Sequence, residues 1–587
     1  MKNLSKTTAA LLAAIIAMSA LSGCGNTEPK KDTSSDATTS NSTDVSTSST
    51  ATDEIDAEQV FSFSEASAVI GLNPIINTTG PDNGAADFFL ETLVSDVADK
   101  NSISIIKPAV ASSWDVSEDG TVYTFHIRPE AKWSDGVDMT ANDFLYTYRM
   151  MATPEIASTN AWLFDGIIKD YGDALYATND KKPEDIGVKV IDDKTLEITL
   201  VKPTPYFLEL LSGAKPIRQD KYEEFGNEYG STFTKVAMNG PYTIESWDQN
   251  VQMTFVKNPN YWDAANVKLE KINRKVIQET ATNAQALLSG DIDILTIKDP
   301  EWVKMIEADG RFEKIEGVGN GPEFFTFNCS NKYFKNPKVR LAFSLAIDRE
   351  RFVSELRDGA AEALYTMMPS VSGVAGVDGK LYSEIVNDKN MIIKDMMAKY
   401  PDPKALLIEG LKEEGLDPDP AKMNVTLISR GTSAFSKKMA EWMLQEYREK
   451  LGVELKIDVI EWNIMWDRVD AGDYEIATAG WGPYFNDPYG LLSLYDPVDG
   501  YFDAKKTGWT GPDADKYHEL LVKSGETIDP MERTQILLEA ETILVGTGVI
   551  APTYVGKSNT YLNKYVKGYY VNPHSAIDYS LMYIQGK

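Results

Sequence analysis

The chain has 587 residues, which is more than one hydrophobic core normally organises, so two or three domains are expected. Hydrophobic residues make up 43% and aromatic residues 10% of the sequence, a composition typical of a globular protein. The formal net charge is −30, and the sequence has no basic cluster. Nucleic acid is therefore excluded as an expected partner, because a polyanion would be repelled.

The N-terminus has the pattern of a cleaved lipoprotein signal. Lys2 and Lys6 form a charged start. The apolar run that follows, Ala9 to Ala20, is too short to span a bilayer. The next four residues, Leu21-Ser22-Gly23-Cys24, resemble the lipobox of bacterial lipoproteins. We expect residues 1–23 to be a signal peptide and Cys24 to carry lipid chains that give stable membrane attachment. The alternative is a lone buried cysteine after a chance apolar stretch.

Residues 24–56 are predicted to form a tether between the lipidated cysteine and a globular body. From Asn26 to Asp56 the sequence is mostly serine, threonine, aspartate and alanine and has no aromatic residue, so it cannot bury enough apolar surface to fold. An unstructured terminus without a tethering role fits the same composition. Once Cys24 carries lipid, only Cys329 remains, so no intrachain disulfide is possible.

The first informative part of the body predicts a β-hairpin that leads into a helix. The stretch from Trp114 to Arg128 has two strand-like segments around Asp119-Gly120, with Tyr123, Phe125 and Ile127 on one face of the second strand. Thr140-Ala141-Asn142-Asp143 then has the spacing of a capping box before a helical pattern.

The middle of the chain alternates between short strands and one helix. Strands are predicted at 239–244, 251–256 and 271–278, a helix at 281–288 and an extended segment at 291–295. A glycine-rich stretch with Gly317, Gly319 and Gly321 lacks the spacing of a dinucleotide-binding fingerprint and is predicted to be a loop.

The last third of the chain alternates strands with longer helices. Strands are predicted at 425–429, 453–459 and 474–479, and helices at 433–451 and 462–470. Such alternation indicates crossover connections and a mixed or mainly parallel sheet. Ligands of these sheets bind near the carboxyl ends of strands, which favours the segment after Ala479 as a site.

Motifs for catalysis and metal binding are scarce. The three histidines are far apart in the sequence, and no Walker loop, nucleophile elbow or HExxH motif is present. Asp115 to Gly120 is weakly similar to a calcium loop, but position twelve is His126, so a hairpin turn is favoured. Trp462, Trp466 and Trp481 are either core residues or the flat apolar walls of a cleft.

Six spaced blocks of the body carry a resemblance to a known family. They are Tyr123–Arg128, Lys132–Gly136, Asn239–Tyr242, Lys257–Asp263, Val339–Arg349 and Ala479–Trp481. In this order they resemble the extracellular oligopeptide-binding proteins of ABC importers. The resemblance implies an α/β fold of the periplasmic-binding-protein type, a two-lobed trap with three subdomains and mixed β-sheets. It places lobe I at 57–90, 212–322 and 557–587, an inserted subdomain II at 91–211, and lobe III at 323–556.

The same resemblance implies where the ligand binds. An extended ligand would lie between Thr78-Thr79-Gly80 and Gly480-Trp481-Gly482, with Trp462 as an aromatic pocket wall and Trp162 as a further contact. Members of the family commonly carry an aspartate, three residues after the tryptophan, that neutralises the α-ammonium of a peptide. Here that position is Tyr484, which brings no charge. Asp487 either substitutes for that aspartate or caps the turn before Pro488.

The expected function is that of a lipid-anchored receptor on the outer face of the cytoplasmic membrane. It would act as a monomer, capture oligopeptides or peptide-like solutes by lobe closure, and deliver them to the permease of an ABC importer without a cofactor or a catalytic step. One alternative is an oligosaccharide or other neutral-solute binder of the same fold. A surface-displayed hydrolase and an adhesin or signalling co-receptor are alternatives from other classes.

Overall fold

The computed structural model describes residues 55–587, so the predicted signal peptide, Cys24 and nearly all of the predicted tether lie outside the described residues. Among residues 55–587, no helix is both long enough and apolar enough to cross a bilayer.

The described chain forms nineteen β-strands and eighteen α-helices. The strands are β1 (Val60–Glu65), β2 (Val94–Ala98), β3 (Ser104–Pro108), β4 (Ala111–Val116), β5 (Val122–Ile127), β6 (Val188–Asp192), β7 (Thr195–Thr199), β8 (Tyr242–Asp248), β9 (Gln252–Lys257), β10 (Lys271–Val276), β11 (Ile294–Thr296), β12 (Phe312–Phe327), β13 (Ala361–Ala363), β14 (Val425–Arg430), β15 (Leu455–Ile460), β16 (Ile476–Gly480), β17 (Ile550–Asn563), β18 (Val566–Lys567) and β19 (Tyr583–Ile584). The helices are α1 (Gly80–Phe89), α2 (Ala141–Met151), α3 (Tyr171–Leu175), α4 (Phe207–Leu210), α5 (Gln219–Phe225), α6 (Thr280–Ser289), α7 (Pro300–Asp309), α8 (Pro337–Leu345), α9 (Arg349–Arg357), α10 (Tyr382–Ile385), α11 (Ile392–Lys399), α12 (Pro403–Glu413), α13 (Ala434–Leu451), α14 (Trp462–Asp470), α15 (Tyr489–Leu492), α16 (Ala504–Thr507), α17 (Pro512–Glu526) and α18 (Pro530–Gly546).

The predicted hairpin and the helix after it are confirmed. Strands β4 and β5 pair antiparallel, with Trp114 opposite Phe125. The side chains of Tyr123, Phe125 and Ile127 are buried and alternate with less buried neighbours, as the period of a strand requires. Helix α2 begins after Thr140, whose backbone N–H donates to the Asp143 carboxylate at 2.7 Å.

A first hydrophobic core joins two four-stranded sheets. One sheet has the strand order β1-β10-β9-β8 and the other has the order β4-β5-β7-β6. Helix α1 packs on the first of these sheets, where Phe88 stacks on Phe255 with 4.5 Å between ring centroids. The C-terminal end of the chain returns to this core through Leu562, Met582 and Ile584. Sequence-distant segments are therefore held in one body by apolar packing.

A second hydrophobic core is built from one continuous stretch of sequence, between Phe324 and Tyr554. Its sheet is mixed, as predicted, because β14 runs parallel to both β15 and β16 while β12 is antiparallel to β16. The predicted helix at 433–451 is confirmed as α13, where the Ser433 side chain accepts a hydrogen bond from the Ser436 N–H at 3.1 Å.

The thiol of Cys329 is enclosed by this second core. Its side chain follows β12 and the residue is only 6% exposed. Burial raises the pKa of the Cys329 thiol, so it stays protonated and unreactive at neutral pH.

Two long strands carry the chain between the two cores. The chain leaves the first core along β12 and returns along β17, and these strands pair antiparallel from Phe312 opposite Asn563 to Thr326 opposite Ile550. The pairing register shifts between Val318 and Pro322. We call this pair the β12–β17 ribbon. The predicted lobe boundaries at 322/323 and 556/557 fall in its irregular middle, and the division into three subdomains stays a prediction.

The prediction of a loop for the glycine-rich stretch is wrong. Gly317, Gly319 and Gly321 lie inside β12, because β17 supplies a pairing partner that the local sequence does not reveal. A Cβ atom on Gly319 would lie 3.1 Å from the Gly556 carbonyl oxygen, so the two strands approach closely there. Small residues suit a strand segment where the ladder is irregular and the backbones are close.

A buried carboxyl group fixes a segment of the second core to α18. Glu541 accepts hydrogen bonds from the backbone N–H groups of Met367 and Met368 at 3.0 and 3.2 Å, and from the hydroxyls of Thr366 and Tyr382. Burial is the largest influence on this group and raises the pKa of Glu541 to about 7. The folded state therefore holds a proton on Glu541 that the unfolded chain has lost.

We predict that Glu541→Gln makes the protein less sensitive to alkaline pH. The raised pKa of Glu541 gives a stabilisation that is complete below about pH 4.5 and is lost as pH rises to about 7, with a cost of up to about 3 kcal/mol. Glutamine keeps an acceptor for the backbone donors and cannot ionise. Urea unfolding at pH 5 and pH 8 should show a smaller fall in unfolding free energy for the variant than for wild type. Glu539→Gln, at an exposed position of the same helix, is the control and should behave like wild type.

Candidate ligand-binding site

A cavity of about 460 Å³ lies where segments from distant parts of the chain meet. We call it the cleft cavity. Its lining comes from α1 and the residues before it, β2, the segment around Trp162, α4 and the residues after it, the loop after β16 and the C-terminal segment 573–576. The predicted site residues Thr78, Trp162 and Tyr484 all line it.

The segment Thr78-Thr79-Gly80 is a turn into a helix rather than a strand. Gly80 is the first residue of α1, and Thr79 is the extended residue before it, with φ −64° and ψ 162°. Pro81 occupies the first turn of that helix, where its fixed φ is favourable. Among these three residues, the cavity lining contains only Thr78, whose hydroxyl lies 2.7 Å from that of Thr159.

Two exposed aromatic side chains meet at the edge of the cleft cavity. The rings of Trp162 and Tyr484 form an edge-to-face contact with centroids 4.7 Å apart. Trp162 is 47% exposed and Tyr484 is 62% exposed. This contact joins the side of the cleft that belongs to the first core with the loop that follows β16. Large apolar rings that stay exposed at such a position are available to a ligand.

A second cavity, of about 370 Å³, is walled by aromatic rings. We call it the aromatic cavity. Its lining residues carry no charge and are Trp462, Trp466, Gly480, Trp481, Gly482, Tyr484 and Tyr501. Tyr484 lines both cavities, so the two cavities are neighbours. The predicted site residues Thr78 and Trp162 line one of them, and Trp462 and Trp481 line the other.

The β12–β17 ribbon positions the tryptophan of the aromatic cavity. Gly480 ends β16 opposite Glu323 of β12, and the Trp481 N–H donates to the Pro322 carbonyl at 3.2 Å. A Cβ atom on Gly321 would lie 3.1 Å from the Trp481 carbonyl oxygen. Trp481 therefore stands directly beside the irregular middle of the ribbon.

Asp487 is engaged by an arginine and does not line the cleft cavity. Both of its carboxylate oxygens accept hydrogen bonds from the Arg533 guanidinium, at 2.6 and 2.9 Å, and both side chains are fully buried. Asp487 also accepts from the N–H groups of Ala375 and Tyr489. In this structure Asp487 has a structural role, which agrees with the turn-capping alternative and leaves it no free oxygen for a ligand cation.

The loop that carries Tyr484 is also held by the first core. The ring of Phe485 stacks on Tyr206 with 4.4 Å between centroids, and Tyr489 stacks on the same ring at 5.2 Å. Next to this stack, the backbone N–H of Asn486 donates to the Glu209 carboxylate at 2.6 Å. Aromatic stacking and a charge-assisted hydrogen bond therefore fix the loop against α4.

The cleft cavity carries an excess of acidic groups. Lys215 pairs with Asp87 at 2.9 Å. Burial raises the pKa of Asp96 to about 7, and burial followed by the charges of Asp96 and Asp487 holds the pKa of Glu209 well above its usual range. Burial lowers the pKa of His574 to about 4, so this ring is neutral at pH 7.

Several residues of the cleft cavity were absent from the sequence predictions. They are Asp96, Glu209, Lys215 and His574. A signal for Glu209 does exist, because it is the only charge in the run Tyr206-Phe207-Leu208-Glu209-Leu210-Leu211. An acid inside an apolar run of this kind is either paired or functional. No comparable local signal marks Asp96 or His574.

Comparison with known proteins gives the family. Residues 106–503 match the family model described as bacterial extracellular solute-binding proteins, family 5, middle region. This chain is a family 5 solute-binding protein. The dipeptide-binding protein DppE of Bacillus subtilis is 29% identical over 80% of this chain and 83% of its own length. The oligopeptide-binding protein OppA of the same organism is 30% identical over 76% of this chain and 78% of its own.

The solved structures of this family give the same fold. The unliganded open form of the murein tripeptide-binding protein MppA is 24% identical, covers 90% of this chain and 98% of its own, and superposes with a TM-score of 0.76. The predicted α/β fold of the periplasmic-binding-protein type, with two lobes and mixed sheets, is confirmed. Family 5 proteins bind solutes for transport and are not enzymes, as the sequence predicts.

We predict that Arg533→Met is strongly destabilising. The substitution leaves the Asp487 carboxylate buried without a counter-charge, which typically costs about 3–5 kcal/mol. Denaturant unfolding should show this loss. Arg448→Met is the matched control, because Arg448 forms a solvent-exposed pair with Glu454 and such pairs contribute little to stability. Equal losses in the two variants would contradict the structural importance of the buried pair.

Proposed function

We propose that this family 5 protein captures peptides or peptide-like solutes in the space formed by the cleft cavity and the aromatic cavity, and passes them to the permease of an ABC importer. The observation that carries the proposal is the position of these cavities. They lie where a loop of the second core meets the first core, beside the ribbon that connects both. The curated relatives named as dipeptide- and oligopeptide-binding proteins support the same ligand class.

The geometry favours capture by lobe closure. The chain crosses between the cores only along β12 and β17 among the described residues, and the pairing of these strands is irregular around Gly319. A short irregular segment can absorb backbone rotation while the cores stay rigid. The lobe boundaries predicted from the sequence belong to this proposal, with lobe III at 323–556 rotating as a unit. Closure would bury the ligand and form the surface that the permease recognises.

In the proposed binding mode, groups from the first core and from the second core both contact the ligand. Thr78 and Trp162 lie on the side of the first core, while Gly480, Trp481 and Gly482 lie on the side of the second. Gly482 is exposed, so its main chain is open to an extended peptide. Trp462 and Trp481 would contact side chains of the ligand. Loose selectivity follows, because main-chain hydrogen bonds do not depend on the ligand sequence.

A neutral solute such as an oligosaccharide is the second candidate. The aromatic cavity supports it, because none of its lining side chains is charged and Trp466, Trp481 and Tyr501 present rings to the space. The centroids of the Trp481 and Tyr501 rings are 4.8 Å apart. Flat apolar faces of this kind suit sugar rings.

Binding assays separate the two candidates. We predict that a pool of tri- to pentapeptides gives a saturable change in intrinsic tryptophan fluorescence, and that a pool of oligosaccharides gives none. Trp481→Ala should weaken peptide binding by about tenfold, because it removes a wall of the aromatic cavity. Trp302→Ala, in α7 and outside both cavities, is the control and should bind like wild type. Saturable binding of oligosaccharides alone would replace the peptide proposal by the second candidate.

The proposed location is the outer face of the cytoplasmic membrane, with Cys24 as the lipidation site and residues up to about 56 as a tether. The lipobox-like Leu21-Ser22-Gly23-Cys24 supports this location. Two acyl chains on one cysteine suffice for stable attachment.

We predict that Cys24→Ala releases the protein from the membrane. Fractionation of cells that express the full chain should move the protein from the membrane fraction to the soluble fraction, with loss of incorporated radiolabelled fatty acid. Cys329→Ala is the control, since Cys329 is buried in the second core and should leave the distribution unchanged. Membrane attachment that survives Cys24→Ala would exclude lipidation at this cysteine.

A further inference from the structure

Two acidic side chains that line the cleft cavity have no basic partner among residues 55–587. Three acidic side chains line it, which are Asp87, Asp96 and Glu209, and the only basic side chain in the lining is Lys215. Lys215 is paired with Asp87. Among residues 55–587, no lysine or arginine forms an ion pair with Asp96 or Glu209. Burial raises the pKa of both groups, and a bound cation would favour their ionised forms.

Glu209 lines this space and uses one of its two carboxylate oxygens in a hydrogen bond to the chain. The residue is only 8% exposed, and one carboxylate oxygen accepts from the Asn486 N–H at 2.6 Å. Within the described part of the chain, no donor hydrogen-bonds to the other oxygen, and Glu209 is part of the cavity lining. This oxygen is therefore available to a donor or a cation that enters the cavity. Asp96 similarly has one oxygen bonded, by Ser104 at 2.6 Å.

The other walls fit an ammonium or guanidinium group. The rings of Trp162 and Tyr484 stand at the edge of the cavity, and aromatic faces attract cations. The lining also includes His574 and Ser575, whose ring nitrogens and hydroxyl oxygen make no hydrogen bond within the described residues. The His574 ring is neutral at pH 7 and does not add a competing positive charge.

We propose that the cleft cavity takes a cationic nitrogen group of the ligand, with Glu209 and Asp96 as its counter-charges. This inference rests on the proposed peptide function and names the part of the ligand that determines specificity. The counter-charges come from β2 and α4, on the side of the first core, whereas the exposed residue of the facing loop is the uncharged Tyr484. A ligand ammonium would supply the charge that the protein does not.

Binding of three peptide pools to the full-length protein, measured by calorimetry, tests the proposal. The first pool has free amino termini and no Lys, Arg or His. The second is the same pool with N-acetylated termini, and the third is N-acetylated but contains Lys and Arg. Calorimetry should show that at least one cationic pool binds about tenfold or more tightly than the second pool. The first and third pools distinguish an α-ammonium from a side-chain cation as the source of the charge.

Isosteric variants assign the effect to these two side chains. Glu209→Gln keeps an acceptor for the Asn486 N–H, and Asp96→Asn keeps an acceptor for Ser104, so neither change removes the observed hydrogen bond. Each should weaken binding of the preferred cationic pool by about tenfold or more, and should weaken binding of the neutral pool by much less. Glu118→Gln is the matched control, because Glu118 is exposed and lies outside both cavities. Melting temperatures establish that each variant is folded.

The outcomes separate this inference from the proposed function. Equal binding of all three pools by wild type, or unchanged binding by both variants, would overturn the cation site while the peptide function stands. Failure of every pool to bind wild type would overturn the peptide function and the inference together. If one variant does not fold, the other still decides, because Asp96 and Glu209 lie on different elements.

Discussion

The β12–β17 ribbon is the constraint on which the arrangement of the molecule depends. The second core is one uninterrupted stretch of sequence, so the chain must enter and leave it once each, and it does so along two strands paired with each other. Because the strands are hydrogen-bonded neighbours, they cannot move independently, and any rotation of one core against the other must pass through both. The irregular pairing around Gly319 concentrates that rotation in one place.

The loop after β16 couples the site to both cores. Asp487 is fixed within the second core by Arg533, and the two residues before it contact Tyr206 and Glu209 of the first core. Glu209 holds the loop through the Asn486 N–H and also lines the cleft cavity, so one side chain belongs both to the loop contact and to the cavity wall.

Local pattern was sufficient for most of the elements but not for the residues around the ligand. The helices over Trp462–Asp470 and Ala434–Leu451 and the strands around Phe125 follow from periodicity. The glycines of β12 were misassigned because their pairing partner is more than two hundred residues away. Glu209 and Asp96 were missed because they line a cavity that forms only when segments distant in sequence pack together. Trp162 and Tyr484 were predicted as site residues from the family resemblance and not from periodicity.

The enclosed thiol of Cys329 has a practical consequence for following the motion of the molecule. Residues 25–587 contain no other cysteine, and this one is protonated and shielded by packing. New cysteines placed on opposite rims of the cleft would then be the only reactive thiols. Spin labels or fluorophores could be attached to them directly, and distances between the rims could be recorded in solution with the native interior untouched.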